Sequence, residues 1–118
     1  MNLPLTSEQS AKLIKISGEF QSKQVSDADA GDIRFHQHIK SYLNMLCLAG
    51  ELQTNNQSGA LAQVAYQERK ATRLAFDRHF KRAATAQDIL NEIAQFVTVP
   101  QFLANLISED FDLLAGVE

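Results

Sequence analysis

The sequence is poor in the residues that end or break helices. Its 118 residues include only two prolines and five glycines. A chain of many short strands and tight turns normally uses more of both, so this scarcity disfavours a β-sandwich and favours helices joined by short loops. The chain also has a single cysteine, Cys47, which cannot form an intrachain disulfide. Its cysteine usage therefore favours a reducing compartment.

Long apolar runs are missing too. No stretch approaches the roughly 18–20 apolar residues that span a bilayer, and the first residues have neither the basic nor the apolar region of a signal peptide. We therefore expect a cytoplasmic protein with no membrane anchor. The sequence also lacks a glycine-rich phosphate loop, a Gly-x-Ser-x-Gly elbow and a paired-cysteine motif. We accordingly predict no enzymatic activity, cofactor or metal.

What is present predicts an all-α fold. The length suits a single domain over residues 1–118, and 45% of the residues are hydrophobic, as in ordinary globular proteins. Three capping-box patterns mark helix starts at Thr6, Ser26 and Thr85. We predict a compact bundle of about five helices with short loops, in which a sixth could begin at Ser108. The predicted spans are 7–23, 27–53, 60–84, 86–99 and 100–116.

The second predicted helix has the broadest apolar face, which is typical of a central helix. Cys47 lies on this arc, so we expect a buried, unreactive thiol. Several apolar positions exceed what a small bundle readily buries, and this surplus predicts a homodimer. The central stripe is Phe35, Ile39, Tyr42, Leu43 and Leu46. The surplus positions are Met45, Leu48, Leu52, Phe102, Leu106 and Phe111.

Charge is segregated along the chain. The net charge is −3, yet six of the eleven basic residues lie within residues 69–82, which also contain two acidic residues. That stretch therefore carries +4 and the rest of the chain −7. On the third predicted helix, the apolar spacing gives an inner stripe and a basic outer stripe facing solvent. The inner stripe is Leu61, Val64, Ala65, Thr72, Ala75, Phe76, His79 and Ala83. The outer stripe is Tyr66, Lys70, Arg73, Asp77 and Lys81.

We predict that this basic face binds a partner. Its candidate residues are Tyr66, Lys70, Arg73, Arg78, Lys81 and Arg82. An acidic protein is one possible partner. Nucleic acid is another, because lysine and arginine neutralise phosphates and aromatic rings stack on bases. A third interpretation is a solvated face laced with pairs four residues apart, such as Arg73 with Asp77.

The segment 88–107 partly resembles the helix-turn-helix pattern. Ile93, Val97, Ala104 and Ile107 occupy positions that the motif keeps apolar. The segment departs from the motif because Thr98 replaces the turn glycine and because the would-be recognition helix has no lysine or arginine. Two core helices joined by a proline-started turn account for the same pattern.

Three histidines, a glutamate and the acidic tail are further candidate sites. His36 and His38 are two positions apart, so their imidazoles should diverge on a helix and not share a metal. His79 and Glu68 fall on the inward side of the third helix, where we expect edge positions that reach water. The acidic, apolar tail from Glu109 onward should either enter a partner's groove or fold back onto the basic helix.

These observations favour a small, non-enzymatic regulatory or adaptor protein. We expect it to bind a protein partner through a helix face, and to form a homodimer. A nucleic-acid-binding regulator that uses the basic face is the alternative. An enzyme would instead require a deep pocket that encloses His36 or His79 together with a carboxylate.

Overall fold

The predicted all-α bundle is confirmed by a computed structural model, which describes residues 5–25, 29–55 and 59–116. Five helices and no strand lie within these ranges. Their bounds are α1, Ser7–Gln21; α2, Ala30–Thr54; α3, Ala60–Phe80; α4, Ala86–Ala94; and α5, Gln101–Gly116.

Helix starts follow local capping chemistry. At α1 the Thr6 hydroxyl accepts from the Gln9 amide while the Gln9 side chain accepts from the Thr6 amide, each at 3.1 Å. Thr85 and Asp88 form the same reciprocal pair at α4. Both capping boxes were predicted. The predicted start of α2 at Ser26 lies outside the described residues; within them, the N-cap of α2 is Asp29.

Helix ends depart further from the prediction. α3 ends at Phe80 and does not reach Ala84, because Lys81 adopts a left-handed conformation with φ of 58°. The amides of Lys81 and Arg82 both bond to the Asp77 carbonyl, which closes the last turn. α4 ends at Ala94, several residues before Pro100. α5 continues through Ser108, so the tail belongs to the fifth helix.

α2 is the central helix, as its broad apolar face predicted. It packs against both α1 and α3, while α5 contacts both α3 and α4. Phe35 near the start of α2 contacts Phe76 and Phe80 near the end of α3, so these two helices run antiparallel. The predicted central stripe of α2 is fully confirmed, since all five of its members are buried.

One continuous core draws on all five helices. Apolar side chains with little or no exposure come from α1 (Leu13, Phe20), α2 (Ile39, Leu43), α3 (Phe76), α4 (Ile89, Ile93) and α5 (Leu103, Leu106, Ile107). Burial of this surface is the main source of stability. In the ranges that the structure describes, no helix is both long enough and apolar enough to cross a membrane.

Candidate functional site

The predicted inner and outer faces of α3 must be corrected. Arg69 is only 3% exposed, whereas Leu61 and Val64, predicted to face inward, are 58% and 50% exposed. Ala83 is exposed as well, because it lies beyond the end of the helix. The reason is that α5 packs along the side of α3 that carries Arg69, which rotates the buried arc toward the basic residues. Ala65, Thr72, Ala75 and Phe76 are buried as predicted.

The rotation disperses the predicted partner-binding residues. Tyr66 packs against the core, and its phenol oxygen is buried without a hydrogen-bond partner. The ammonium of Lys70 lies 5.9 Å from the Tyr66 ring centre. The Arg73 guanidinium lies 6.0 Å from the ring of Phe111 on α5. Arg73 therefore lies at the junction of α3 and α5, and Tyr66 and Lys70 fall on the same side of α3 by their spacing. All three residues are half-buried.

The remaining three lie elsewhere. Arg78 is exposed at the edge of α3 beside α2, where it shares a small cleft of about 190 Å³ with Arg34 and His38. Lys81 is exposed at the helix end. Arg82 forms two hydrogen bonds, of 2.8 and 3.0 Å, with the Asp88 carboxylate at the start of α4. The structure does not gather the six residues into one surface.

A buried ionic network was missed by sequence reasoning. The Asp110 carboxylate accepts from Nε of Arg69 at 2.9 Å and from Nη2 at 2.9 Å, and both residues are almost fully buried. The Tyr42 hydroxyl donates to the same carboxylate at 2.8 Å. Burial and the neighbouring carboxylate raise the pKa of Tyr42 well above its usual value. Arg69 Nη1 has no hydrogen-bond partner.

A sequence signal for this network did exist. Asp110 falls on the inward row of α5, between the buried residues Leu106 and Leu114, where a carboxylate requires a partner. The network also fixes the position of the acidic tail. Through residue 116, the tail is part of α5 and its Asp110 pairs with the basic helix. Of the two predicted positions, a partner's groove or the chain's own basic helix, the structure shows the second.

The two neighbouring histidines have different surroundings. His36 is buried, with its ring 4.7 Å from Phe20 and 4.8 Å from Phe96, and burial lowers its pKa. His38 is half-buried, and its pKa is lowered by burial and by nearby cations, Arg78 first among them. No group of three or more metal-ligating side chains forms among the described residues.

The predictions for Cys47 and Glu68 differ in outcome: Cys47 is less buried than expected, whereas Glu68 reaches water as expected. Cys47 is half-buried on α2, and burial raises the pKa of its thiol. A thiol of raised pKa is a poor nucleophile, which accords with the predicted inertness. Glu68 is exposed on α3 and reaches water as expected.

The outward face of α3 carries exposed apolar side chains alongside the polar residues Gln67 and Glu68. Leu61, Val64 and Leu74 are among the most exposed large apolar residues described, at 58%, 50% and 51%. At roughly 100° per residue their side chains fall within an arc of about 140° on one side of the helix. Ala71 lies within the same arc and is also exposed.

A second candidate site is a cleft of about 430 Å³ between the ends of α2, α3 and α4. This volume is within the range of small-molecule sites. Its lining combines aromatic rings, carboxylates and amides: Val25, Asp32, Phe35, His79, Phe80, Asp88, Asn91, Glu92, Gln95 and Phe96. Its lining has no serine, threonine, cysteine or lysine, but it brings His79 together with three carboxylates, the combination that an enzyme would require.

The electrostatics of this cleft are negative. Burial raises the pKa of Glu92, the Asp32 carboxylate raises it further, and His79 opposes these effects. The His79 ring is stacked on Phe35, with ring centres 4.1 Å apart and planes within 1°. At the edge of the cleft, the guanidinium of Arg82 lies 4.8 Å from the centre of the Phe80 ring. Its bonds to Asp88 hold the pKa of that carboxyl well below its usual range.

No protein-family model matches this chain, and comparisons with curated proteins and with solved structures find no significant match.

The helix-turn-helix-like segment is accounted for by core packing. Ile93 and Ile107 are buried, while Val97 and Ala104 are half-buried against the core. The exposed residues of α5 include two carboxylates and, among those described, no cation. The full set of exposed residues described on α5 is Gln101, Asn105, Ser108, Glu109, Asp112 and Ala115. A helix with this charge is poorly suited to a groove lined by phosphates.

Proposed function

We propose that this protein is a non-catalytic, cytoplasmic adaptor that binds a protein partner through the outward face of α3, and that the partner is a second copy of the chain. The supporting observation is the exposure of Leu61, Val64 and Leu74 on one side of the helix. Each keeps half or more of its surface in contact with solvent. Large apolar residues grouped in this way are typical of interaction surfaces, whereas isolated ones are common on any protein.

The spacing of these residues favours a second copy. If two α3 helices cross antiparallel about a twofold axis between Gln67 and Glu68, Leu61 meets the partner's Leu74 and Val64 meets the partner's Ala71. Each contact occurs twice because the axis is twofold. At the centre, the Gln67 amide can donate to the carboxylate of the partner's Glu68. A face that is complementary to itself over 14 residues is the requirement for such an isologous interface.

The proposed interface does not use the surplus apolar residues from which the sequence predicted a homodimer. Leu52, Leu106 and Phe111 from that set are buried in the core, and Met45, Leu48 and Phe102 are half-buried. They therefore contribute to folding within one chain. The homodimer remains a proposal, and its support now comes from the exposed residues of α3.

Oligomeric state measured by sedimentation velocity across micromolar concentrations tests the proposal. We expect a wild-type dimer and a monomer for the double variant Leu61→Glu with Leu74→Glu, because charges would be buried at both ends of the interface. Ile14→Glu is the matched control, since Ile14 is 43% exposed but lies on α1. A monomeric wild type, or a dimer that both variants leave intact, would rule out this interface.

A cysteine placed at the axis tests the geometry directly. Gln67 is exposed, and in the proposed crossing it lies beside the axis, where Cα atoms of the two copies come close enough for a disulfide. Gln67→Cys in a Cys47→Ser background should give a covalent dimer under mild oxidation. The control is Ile14→Cys in the same background, which should stay mainly monomeric on a denaturing gel.

The alternative, a nucleic-acid-binding regulator, is less well supported. It requires several cations on one surface, whereas Arg69 and Arg82 pair with carboxylates and Arg73 and Arg78 lie on different edges of α3. Arg34, His38 and Arg78 do approach one another, but they form only a small cleft. The adaptor proposal therefore comes first.

A further inference from the structure

The cleft between α2, α3 and α4 has features of a binding site that the adaptor function does not use. Phe35, Phe80 and Phe96 contribute aromatic surface to its lining. The negative face of an aromatic ring attracts cations as well as apolar groups. A ligand that enters here therefore gains from having both an apolar part and a positive charge.

The carboxylates of the cleft lack compensating charge. Glu92 is half-buried and lies close enough to Asp32 for mutual repulsion. In the described part of the chain, neither of these two carboxylates has an ion-pair partner. Gln95 donates to Glu92 at 3.3 Å, but an amide does not neutralise the charge. A cation placed between Asp32 and Glu92 would relieve this repulsion.

The structure already contains one example of the chemistry that suits this lining. The Arg82 guanidinium contacts two lining residues at once, over the ring of Phe80 and against both carboxylate oxygens of Asp88. Arg82 itself stays 53% exposed, so it covers the edge of the cleft and does not fill it. A guanidinium is thus bound at the edge by one ring and one carboxylate. The rest of the lining contains further phenylalanine rings and two further carboxylates, Asp32 and Glu92.

We propose that this cleft binds an organic cation through its guanidinium or ammonium group. Glu92 and Asp32 provide the negative charge, and the phenylalanine rings contact the apolar stem. Asn91 and Gln95 at the same wall supply amides for further hydrogen bonds. A flat, delocalised guanidinium is favoured over a compact ammonium, because it stacks on rings and bonds two acceptors together.

The probes are agmatine, a free alkylguanidine, and a capped Gly-Arg-Gly peptide, which presents the same group as a protein side chain. A capped Gly-Gln-Gly peptide is the neutral control. Titrations followed by amide chemical shifts should show saturable changes around Glu92 and His79 with the two cations and none with the glutamine peptide. Stronger binding of agmatine would indicate a small-molecule ligand. Stronger binding of the arginine peptide would indicate a protein ligand.

Three variants distinguish binding at this cleft from general attraction to an acidic protein. Glu92→Gln keeps the shape and removes the charge, and it should weaken binding at least about threefold. Glu109→Gln is the matched control on α5, outside the cleft, and should bind as the wild type does. Arg82→Ala removes the intrachain guanidinium and frees Asp88, so it should strengthen binding about twofold or more.

The proposal is overturned if neither the wild type nor Arg82→Ala binds either cation in low-salt buffer. It is also overturned if Glu92→Gln binds as well as Glu109→Gln, because the charge would then act only through the net charge of the chain. Dispersed amide spectra of all variants establish that they are folded. The oligomeric state of the same samples is read independently, so a failure of this site and a failure of the α3 interface are distinguishable.

Discussion

At the scale of single residues, the Arg69–Asp110 pair is the most consequential contact. Both side chains are almost completely removed from water, and their guanidinium and carboxylate meet through two parallel hydrogen bonds. Such pairs are not strongly stabilising overall, because desolvation offsets most of the attraction. Their loss is severe when only one partner is removed, since the other is left as a buried, uncompensated charge.

We therefore expect Asp110→Ala to lower the free energy of unfolding by about 3–5 kcal/mol. Tyr42→Phe removes one hydrogen bond to the same carboxylate and should cost about 1 kcal/mol. Urea denaturation followed by circular dichroism measures both changes. The neighbouring exposed carboxylate provides the control, and Glu109→Ala should change stability little.

A compensated replacement distinguishes lost charge balance from lost packing. The triple variant Arg69→Met, Asp110→Leu and Tyr42→Phe removes both charges and the hydroxyl that would otherwise be buried without an acceptor, so its stability should be within about 1–2 kcal/mol of wild type. If the triple variant were as unstable as Asp110→Ala, the network would be stabilising through its geometry, and the argument from uncompensated charge would be wrong.

Burial of Arg69 could not be assigned from the sequence. Arginine is normally exposed, and Arg69 is followed directly by Lys70 in the most basic part of the chain. Its position agrees with the inward row of Ala65, Thr72 and Phe76, but the deciding fact is a carboxylate 41 residues later on another helix. Local spacing can suggest a buried position, yet only the packing of α5 on α3 identifies the partner.

At the scale of helices, starts were predictable and ends were not. Thr6 and Thr85 cap their helices through groups three residues away, so the signal is contained in the local sequence. The end of α3 has no glycine to mark it. Instead, Lys81 takes the left-handed conformation, and the Asp77 side chain accepts from the Ala84 amide at 2.7 Å, which directs the chain away from the helix axis.

This helix end gives a prediction for Lys81. A residue with a β-carbon pays about 1–2 kcal/mol for the left-handed conformation, which glycine avoids. Lys81→Gly should therefore raise the free energy of unfolding by roughly 0.5–1 kcal/mol, after the extra flexibility of glycine in the unfolded chain is included. Thermal denaturation measures the change. Lys81→Ala is the control; it removes the same charge but keeps the β-carbon, and should give no gain.

At the scale of the whole molecule, the core and the binding sites differ in how far the sequence determines them. The all-α class and the central stripe of α2 follow from apolar periodicity, which is local. The acidic cleft joins Asp32, His79 and Glu92, from three helices far apart in the sequence. Its residues share no spacing that marks them as a group. Two residues of the exposed α3 face, Leu61 and Val64, were likewise predicted to face inward, because apolar spacing alone does not show which side of α3 the other helices cover.

The three-dimensional distribution of charge also bears on nucleic-acid binding. Two of the six cations in residues 69–82 pair with carboxylates outside that stretch, Asp110 and Asp88, so the local excess of +4 is reduced once the chain folds. The other cations are spread over two edges and the end of α3, while the chain as a whole remains at −3. Simultaneous contact with several phosphates on one strand is therefore unfavourable.

We expect no measurable binding to duplex DNA at physiological ionic strength. The test is fluorescence anisotropy with a labelled duplex across a salt series, for the wild type and for the triple variant Lys70→Gln, Arg73→Gln and Lys81→Gln. If the basic stripe acted as one surface, wild-type affinity would fall steeply between about 50 and 200 mM salt, and the triple variant would lose the binding. Such a result would require Arg73 beside α5 and Lys81 at the end of α3 to contact one duplex together. For that, α5 would have to move away from the side of α3 that it now covers.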